Sequence, residues 1–144
     1  MSLPETRLDH VAITVADLER SIAFYTDMLG CTVAGQLLLD DGDFKIVYLR
    51  SGDAVVELFA FRGSEARTRT DASDREGGFK HLAFTTSDVD ALAARLRAAD
   101  VPFTLHPMDA KGNVRIAFFR DPDGNLLEIV SGFPDVEPYR TGWA

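Results

Sequence analysis

Leu8-Asp9-His10-Val11-Ala12-Ile13-Thr14-Val15-Ala16-Asp17-Leu18, continuing to Gly30, is the stretch on which the fold turns. Its first half alternates bulky and small side chains and is rich in β-branched residues, the pattern of a strand with two unlike faces. Asp17 then stands where a helix can be capped. Leu18, Ile22, Tyr25 and Leu29 recur at three- and four-residue spacing to form one apolar stripe, and Gly30 can end the helix. Further strands are expected near Thr32 to Leu39, Phe44 to Arg50 and Ala54 to Phe61. Asp40-Asp41-Gly42-Asp43 and Ser51-Gly52-Asp53 mark the turns between them.

The same plan returns 71 residues later. Lys80-His81-Leu82-Ala83-Phe84-Thr85 reads as a strand. Asp88, in the place of Asp17, precedes a helix whose stripe is Val89, Leu92, Ala93 and Leu96. Strands follow near Phe103 to His106, Val114 to Arg120 and Leu126 to Ser131, and Asp121-Pro122-Asp123-Gly124 reads as a hairpin turn. The expected fold class is therefore α+β: one domain over residues 1–144, made of two βαβββ modules that form a cupped mixed sheet. Module one covers 8–61, a polar linker 62–78, module two 79–131 and an irregular tail 132–144, in which Trp143 can pack on the body or on a partner.

The repeat extends to two chemically expressive residues. His10 and Glu57 are matched, at the same offset of 71, by His81 and Glu128. Strand alternation puts Val11, Ile13 and Val15 on one face of the first strand and His10 on the other, and His81 is set apart from Leu82 and Phe84 in the same way. Both glutamates interrupt apolar runs, Val55-Val56-Glu57-Leu58-Phe59 and Leu126-Leu127-Glu128-Ile129-Val130. A buried ionised carboxylate costs several kcal/mol unless it is partnered. Two imidazoles and two carboxylates make a mixed nitrogen and oxygen donor set that suits a divalent metal such as Zn, Ni, Fe, Mn or Co rather than a thiolate-loving one.

Composition narrows the function classes. At net charge −8 with scattered Lys and Arg, binding to nucleic acid is disfavoured, and so is docking on anionic lipid. No apolar run approaches a membrane span, and the first residues lack a secretion pattern, so a cytoplasmic protein is expected. Cys31 is the single cysteine and reads as a buried thiol. Tyr25 reads as core, Tyr48 as a residue that packs or lines the cavity, and His106 as part of a loop or strand end.

The stretches LDHVAITVADLERSIAFYTDMLG, AVVELFAF, FKHLAFTTSDVDALAARL and FFRDPDGNLLEIV resemble the vicinal oxygen chelate superfamily. That superfamily includes glyoxalase I, methylmalonyl-CoA epimerase, extradiol dioxygenases and fosfomycin and bleomycin resistance proteins. The resemblance implies that His10, Glu57, His81 and Glu128 are the metal ligands and that Glu57 or Glu128 also moves a proton. The four-residue set is most similar to bacterial glyoxalase I, an isomerase or lyase that converts a 2-oxoaldehyde–thiol adduct through an enediolate. Thr14 stands where that enzyme commonly has an arginine for glutathione, so the thiol is left unassigned. Lys111-Gly112 resembles the family's loop before the penultimate strand. The resemblance further implies a homodimer, with the site built within one chain or across two. An acyl-thioester epimerase, a drug- or metabolite-binding resistance protein and an iron-dependent oxygenase are the alternatives from the same superfamily.

Overall fold

The computed structural model describes residues 3–65 and 75–141; Trp143 and the middle of the expected linker lie outside them. Among the described residues, the chain forms two four-stranded sheets of identical plan, each with a helix between its first and second strands. In the first, β1 (His10–Thr14), α1 (Leu18–Ala23), β2 (Thr32–Leu39), β3 (Phe44–Ser51) and β4 (Ala54–Phe61) follow in sequence, and the strand order is β1-β4-β3-β2. In the second, β5 (Leu82–Thr85), α2 (Val89–Ala98), β6 (Phe103–Ala110), β7 (Asn113–Arg120) and β8 (Leu126–Phe133) are ordered β5-β8-β7-β6. The outer pairs β1–β4 and β5–β8 are parallel and the hairpins antiparallel, which makes both sheets mixed.

Local chemistry accounts for the helices. The Asp17 carboxylate accepts from the Arg20 amide and the Asp88 carboxylate from the Ala91 amide, each satisfying an orphan donor of the first turn. The first helix differs from expectation in one respect: after Ala23 the chain widens into a π-turn over Phe24–Met28. Gly30 then adopts φ +71°, a left-handed geometry that suits glycine, and its amide bonds Thr26 O at 3.1 Å while that of Cys31 bonds Tyr25 O at 3.0 Å.

Each sheet buries the face turned to its helix. Val47, Leu49, Val56 and Leu58 fill this layer in the first unit with Tyr25 and Cys31, and Ala117, Phe119, Leu127 and Ile129 fill it in the second with Val89, Ala93 and Leu96. Burial pushes the Cys31 thiol up from its ordinary value, so it stays protonated and inert.

Three expectations are corrected. The strand expected from Lys80 begins at Leu82, so His81 sits just before β5. His106 is inside β6, stacked on Phe103 at 5.4 Å between ring centroids, because β6 is an edge strand whose register shifts near Pro107 and so tolerates the missing amide. The Asp121-Pro122-Asp123-Gly124 segment is more than a turn. These four residues group with the first unit, where Asp121, 5% exposed, accepts from the fully buried Tyr25 hydroxyl at 2.8 Å. Asp123 accepts from the Ala16 amide at 2.8 Å and from the Ser21 hydroxyl at 3.2 Å.

Candidate functional site

Register places the four expected ligands. In the parallel pair β1–β4, Ala12 lies opposite Glu57, and in β5–β8 Ala83 lies opposite Glu128. On the hairpin side Glu57 faces Tyr48, and Glu128 faces Phe118. Neighbours in register share a face, so each glutamate points away from its helix, on the face that also carries the histidine. A small alanine beside each glutamate leaves room above the strand.

In the first unit, His10 Nε2 is 3.6 Å from Glu57 Oε2, and Glu57 is only 8% exposed. His10 Nδ1 lies 2.7 Å from the Asp9 carboxylate. That contact raises the His10 pKa above 6.5, with Glu57 adding to it and burial opposing. In the neutral imidazole, a proton on Nδ1 would bond Asp9 and leave Nε2 as the lone-pair nitrogen, the arrangement by which carboxylates orient metal-binding histidines.

The second unit solves the same problem differently. His81 Nε2 is 2.8 Å from Glu128 Oε2, and the imidazole sits edge-to-face with Phe118, centroids 5.0 Å apart. The residue before it is Lys80, in the place of Asp9, so no carboxylate precedes this histidine.

The donor chemistry fits a divalent ion. Two ligands bound at about 2.1 Å and at right angles lie about 3 Å apart, and the two pairs bracket that span. Among the described residues these side chains gather as two pairs, and no group of three or more metal-ligating residues forms. Asp9 and Phe118 are additions to the expected set. Asp9 was readable as the residue preceding the ligand; Phe118 required the strand register.

Comparison with known proteins agrees with this architecture. Residues 7–129 match the model of the Glyoxalase/Bleomycin resistance protein/Dioxygenase superfamily. The chain belongs to this superfamily. It is 35% identical over 125 residues to YaeR, an uncharacterized protein of Escherichia coli, covering 85% of this chain and 94% of that one. It is 33% identical over 138 residues to a lactoylglutathione lyase of Arabidopsis thaliana, covering 92% of this chain but 47% of the plant protein, so it spans about half of that relative. The trypanothione-dependent glyoxalase I of Leishmania major is similar in structure, with a TM-score of 0.71, 31% identity and coverage of 87% and 86% of the two chains. At family level the relatives mark the chain as glyoxalase-like. None of the described helices is long and apolar enough to cross a membrane.

Proposed function

We propose that this superfamily member is a metal-dependent isomerase of glyoxalase I type, acting on the adduct of a small 2-oxoaldehyde and a thiol. The observation that carries this reading is the recurrence of a histidine–glutamate pair at the same register in both sheets, on the face away from the helix. His10, Glu57, His81 and Glu128 would hold the ion, each histidine–glutamate pair contributing two donors, and the protein would act as a homodimer. Nickel or zinc suits these donors best, with Fe, Mn or Co also compatible. When bound, the metal would supply electrophilic stabilisation of negative charge on the substrate's neighbouring oxygens.

The chain's own task is then to move a proton. One glutamate takes the proton from the carbon that bears sulfur and hydroxyl, leaving an enediolate. The proton returns to the adjacent carbon and the hydroxyl proton passes to the neighbouring oxygen, so the hemithioacetal becomes a 2-hydroxy thioester with no net gain or loss of atoms. Glu57 is favoured for this role by its near burial and by the Tyr48 side chain on the same face, with Asp9 in contact with His10 beside it. Water exclusion around such a carboxylate strengthens its interactions with the reacting atoms.

This reading carries a cytoplasmic setting and a small-molecule partner, with no role for nucleic acid or membrane. It is tested by elemental analysis of natively purified protein together with turnover of hemithioacetals formed from several thiols, glutathione included. Bound divalent metal and turnover that is lost on chelation and regained on reloading are expected. Protein free of metal as purified, and unable to take it up, would sink the proposal. Turnover of a chiral acyl thioester in place of hemithioacetals would move the assignment to an epimerase, and ligand binding that survives chelation without turnover would move it to a sequestering protein.

A further inference from the structure

The face of the first sheet that carries Glu57 is divided along its length into unlike halves. Along β3, the residues on this face run Arg50, Tyr48, Ile46 and Phe44, and opposite them on β4 lie Val55, Glu57, Phe59 and Phe61. The Tyr48–Glu57 rung is therefore the boundary. On one side stands Arg50, exposed and without a hydrogen-bond or ion-pair partner among the described residues, the single Lys or Arg on this face of the sheet.

On the other side lies an apolar floor. The rings of Phe44 and Phe61 stack at 4.3 Å and 4°, and Phe59 meets Phe44 edge-on at 5.1 Å. Leu37 of β2 extends this floor beside Ile46. Phe61 is 44% exposed and Leu37 48% exposed, although both sit on a sheet face one or two rungs from a buried glutamate. Isolated exposed apolar residues need no explanation, but a stacked aromatic pair continuous with a candidate reaction centre does.

Deepening the isomerase reading, on which its catalytic meaning rests, we infer that this floor is a specificity surface for an aromatic or branched apolar group of the substrate, whose anionic end is drawn to Arg50. The spacing sets the ligand's size. Alternate residues of a strand are about 6.6 Å apart, so the Arg50 and Ile46 rungs are separated by about 13 Å, a span that the arginine side chain shortens by several ångströms. A small amphipathic acid or acyl adduct bridges it with its middle over Glu57. A short polar ligand would leave the phenylalanines in water.

The test uses non-reactive probes, so that it does not depend on turnover. Binding of 4-phenylbutyrate and of butyrate is measured by calorimetry on the metal-loaded protein and again after chelation. 4-Phenylbutyrate should bind at least about tenfold more tightly, the equivalent of about 1.4 kcal/mol from covering the ring. That advantage should fall to within about threefold in Phe61→Ala and in Leu37→Asp, with butyrate unchanged. Arg50→Ala should weaken both probes alike. Because Phe61 and Leu37 are substantially exposed, these variants are expected to fold, which circular dichroism checks.

Equal binding of the two probes, or an advantage that persists in both floor variants, overturns the inference. So does a Leu37→Asp protein that turns from dimer to monomer in sedimentation yet keeps its preference for 4-phenylbutyrate, since the floor would then be covered by a second copy. Absence of metal or of hemithioacetal turnover would remove the isomerase reading while leaving this probe discrimination intact, so the two failures are told apart.

Discussion

The two sheets share strand order, the register of their parallel pair and a histidine–glutamate pair, yet they support that pair in different ways. In the first, Asp9 anchors the histidine from behind, and the imidazole stands 3.6 Å from Glu57. In the second, Lys80 replaces Asp9, and His81 is held instead by the edge-to-face contact with Phe118 and by direct approach to Glu128 at 2.8 Å. The histidine and glutamate recur in both sheets while their supports differ. The lesson is that donor identity and donor orientation are separable: the first is set by one residue, the second by whichever neighbour limits the ring.

The hairpins diverge as well. In the first sheet Ser51 pairs with Ala54 across the two-residue turn Gly52-Asp53. In the second, the last pair is Arg120 with Leu126, and the longer connection carries Asp121 and Asp123. Those carboxylates hold Tyr25, Ser21 and the amide of Ala16, at the start of α1 and along its buried side. Burial and the neighbouring Asp121 push the Tyr25 hydroxyl far above its ordinary value, so it remains a donor throughout the accessible pH range.

The comparison can be broken most forcefully at the glutamates. Glu57→Gln and Glu128→Gln should each lower hemithioacetal turnover by about 10²- to 10⁴-fold, the range of a lost acid–base group, and lower the metal content measured by elemental analysis. If one variant keeps its metal but loses turnover, that glutamate is the proton carrier and the halves are functionally unequal. Equal loss of both readouts would make them equivalent ligands.

The hairpin difference predicts the next largest effect. Tyr25→Phe leaves the buried Asp121 carboxylate short of a donor and should cost about 1 to 3 kcal/mol in urea denaturation. Asp53→Ala, in the tight turn of the first hairpin, should stay within about 0.5 kcal/mol. Similar values for both would mean that the Asp121 contacts contribute nothing beyond closing a turn.

Asp9→Ala should weaken metal binding by about 10- to 100-fold, as expected when an orienting carboxylate is removed, whereas Lys80→Ala should leave it unchanged. The pH dependence sharpens this contrast. Because Asp9 holds the His10 pKa above 6.5, the proton competes with a metal until the pH exceeds that raised value. Removing Asp9 should therefore shift the midpoint of metal loading to lower pH, read by titration at several pH values. In the metal-free protein the sign is opposite for stability: the attraction between protonated His10 and Asp9 is fully present below the unfolded value and lost as pH rises through the folded one.

The smallest effect belongs to the second sheet's surface. Arg115 bonds both Asp90 at the start of α2 and Asp109 of β6, and holds the Asp90 carboxyl below its usual range. Any stability from that exposed pair exists above the unfolded carboxylate pKa and is lost as pH falls through the depressed one. Arg115→Ala should lower the melting temperature slightly at neutral pH and not at all in acid.

His10, Glu57, His81 and Glu128 were legible because a repeat and a period-two alternation are properties of order along the chain. An apolar run broken by Glu57 announces a buried carboxylate whatever the fold. The β2 and β4 limits and both N-caps followed from equally local signals. The start of β5, the place of His106 within an edge strand and the π-turn after Ala23 did not, since each depends on which strand supplies hydrogen bonds from elsewhere in the sequence.

By itself, then, the amino-acid order determined two copies of one module, the faces of their strands and the histidine and glutamate that each face carries, because side-chain periodicity and burial cost act within a few residues. The tertiary structure alone decided what stands beside each donor: Tyr48 and Phe118 on the hairpin side, the stacked phenylalanines beyond Glu57, and the carboxylates from residues 121 and 123 against α1. Those neighbours are set by strand register and long-range packing, where a shift of one residue exchanges every face.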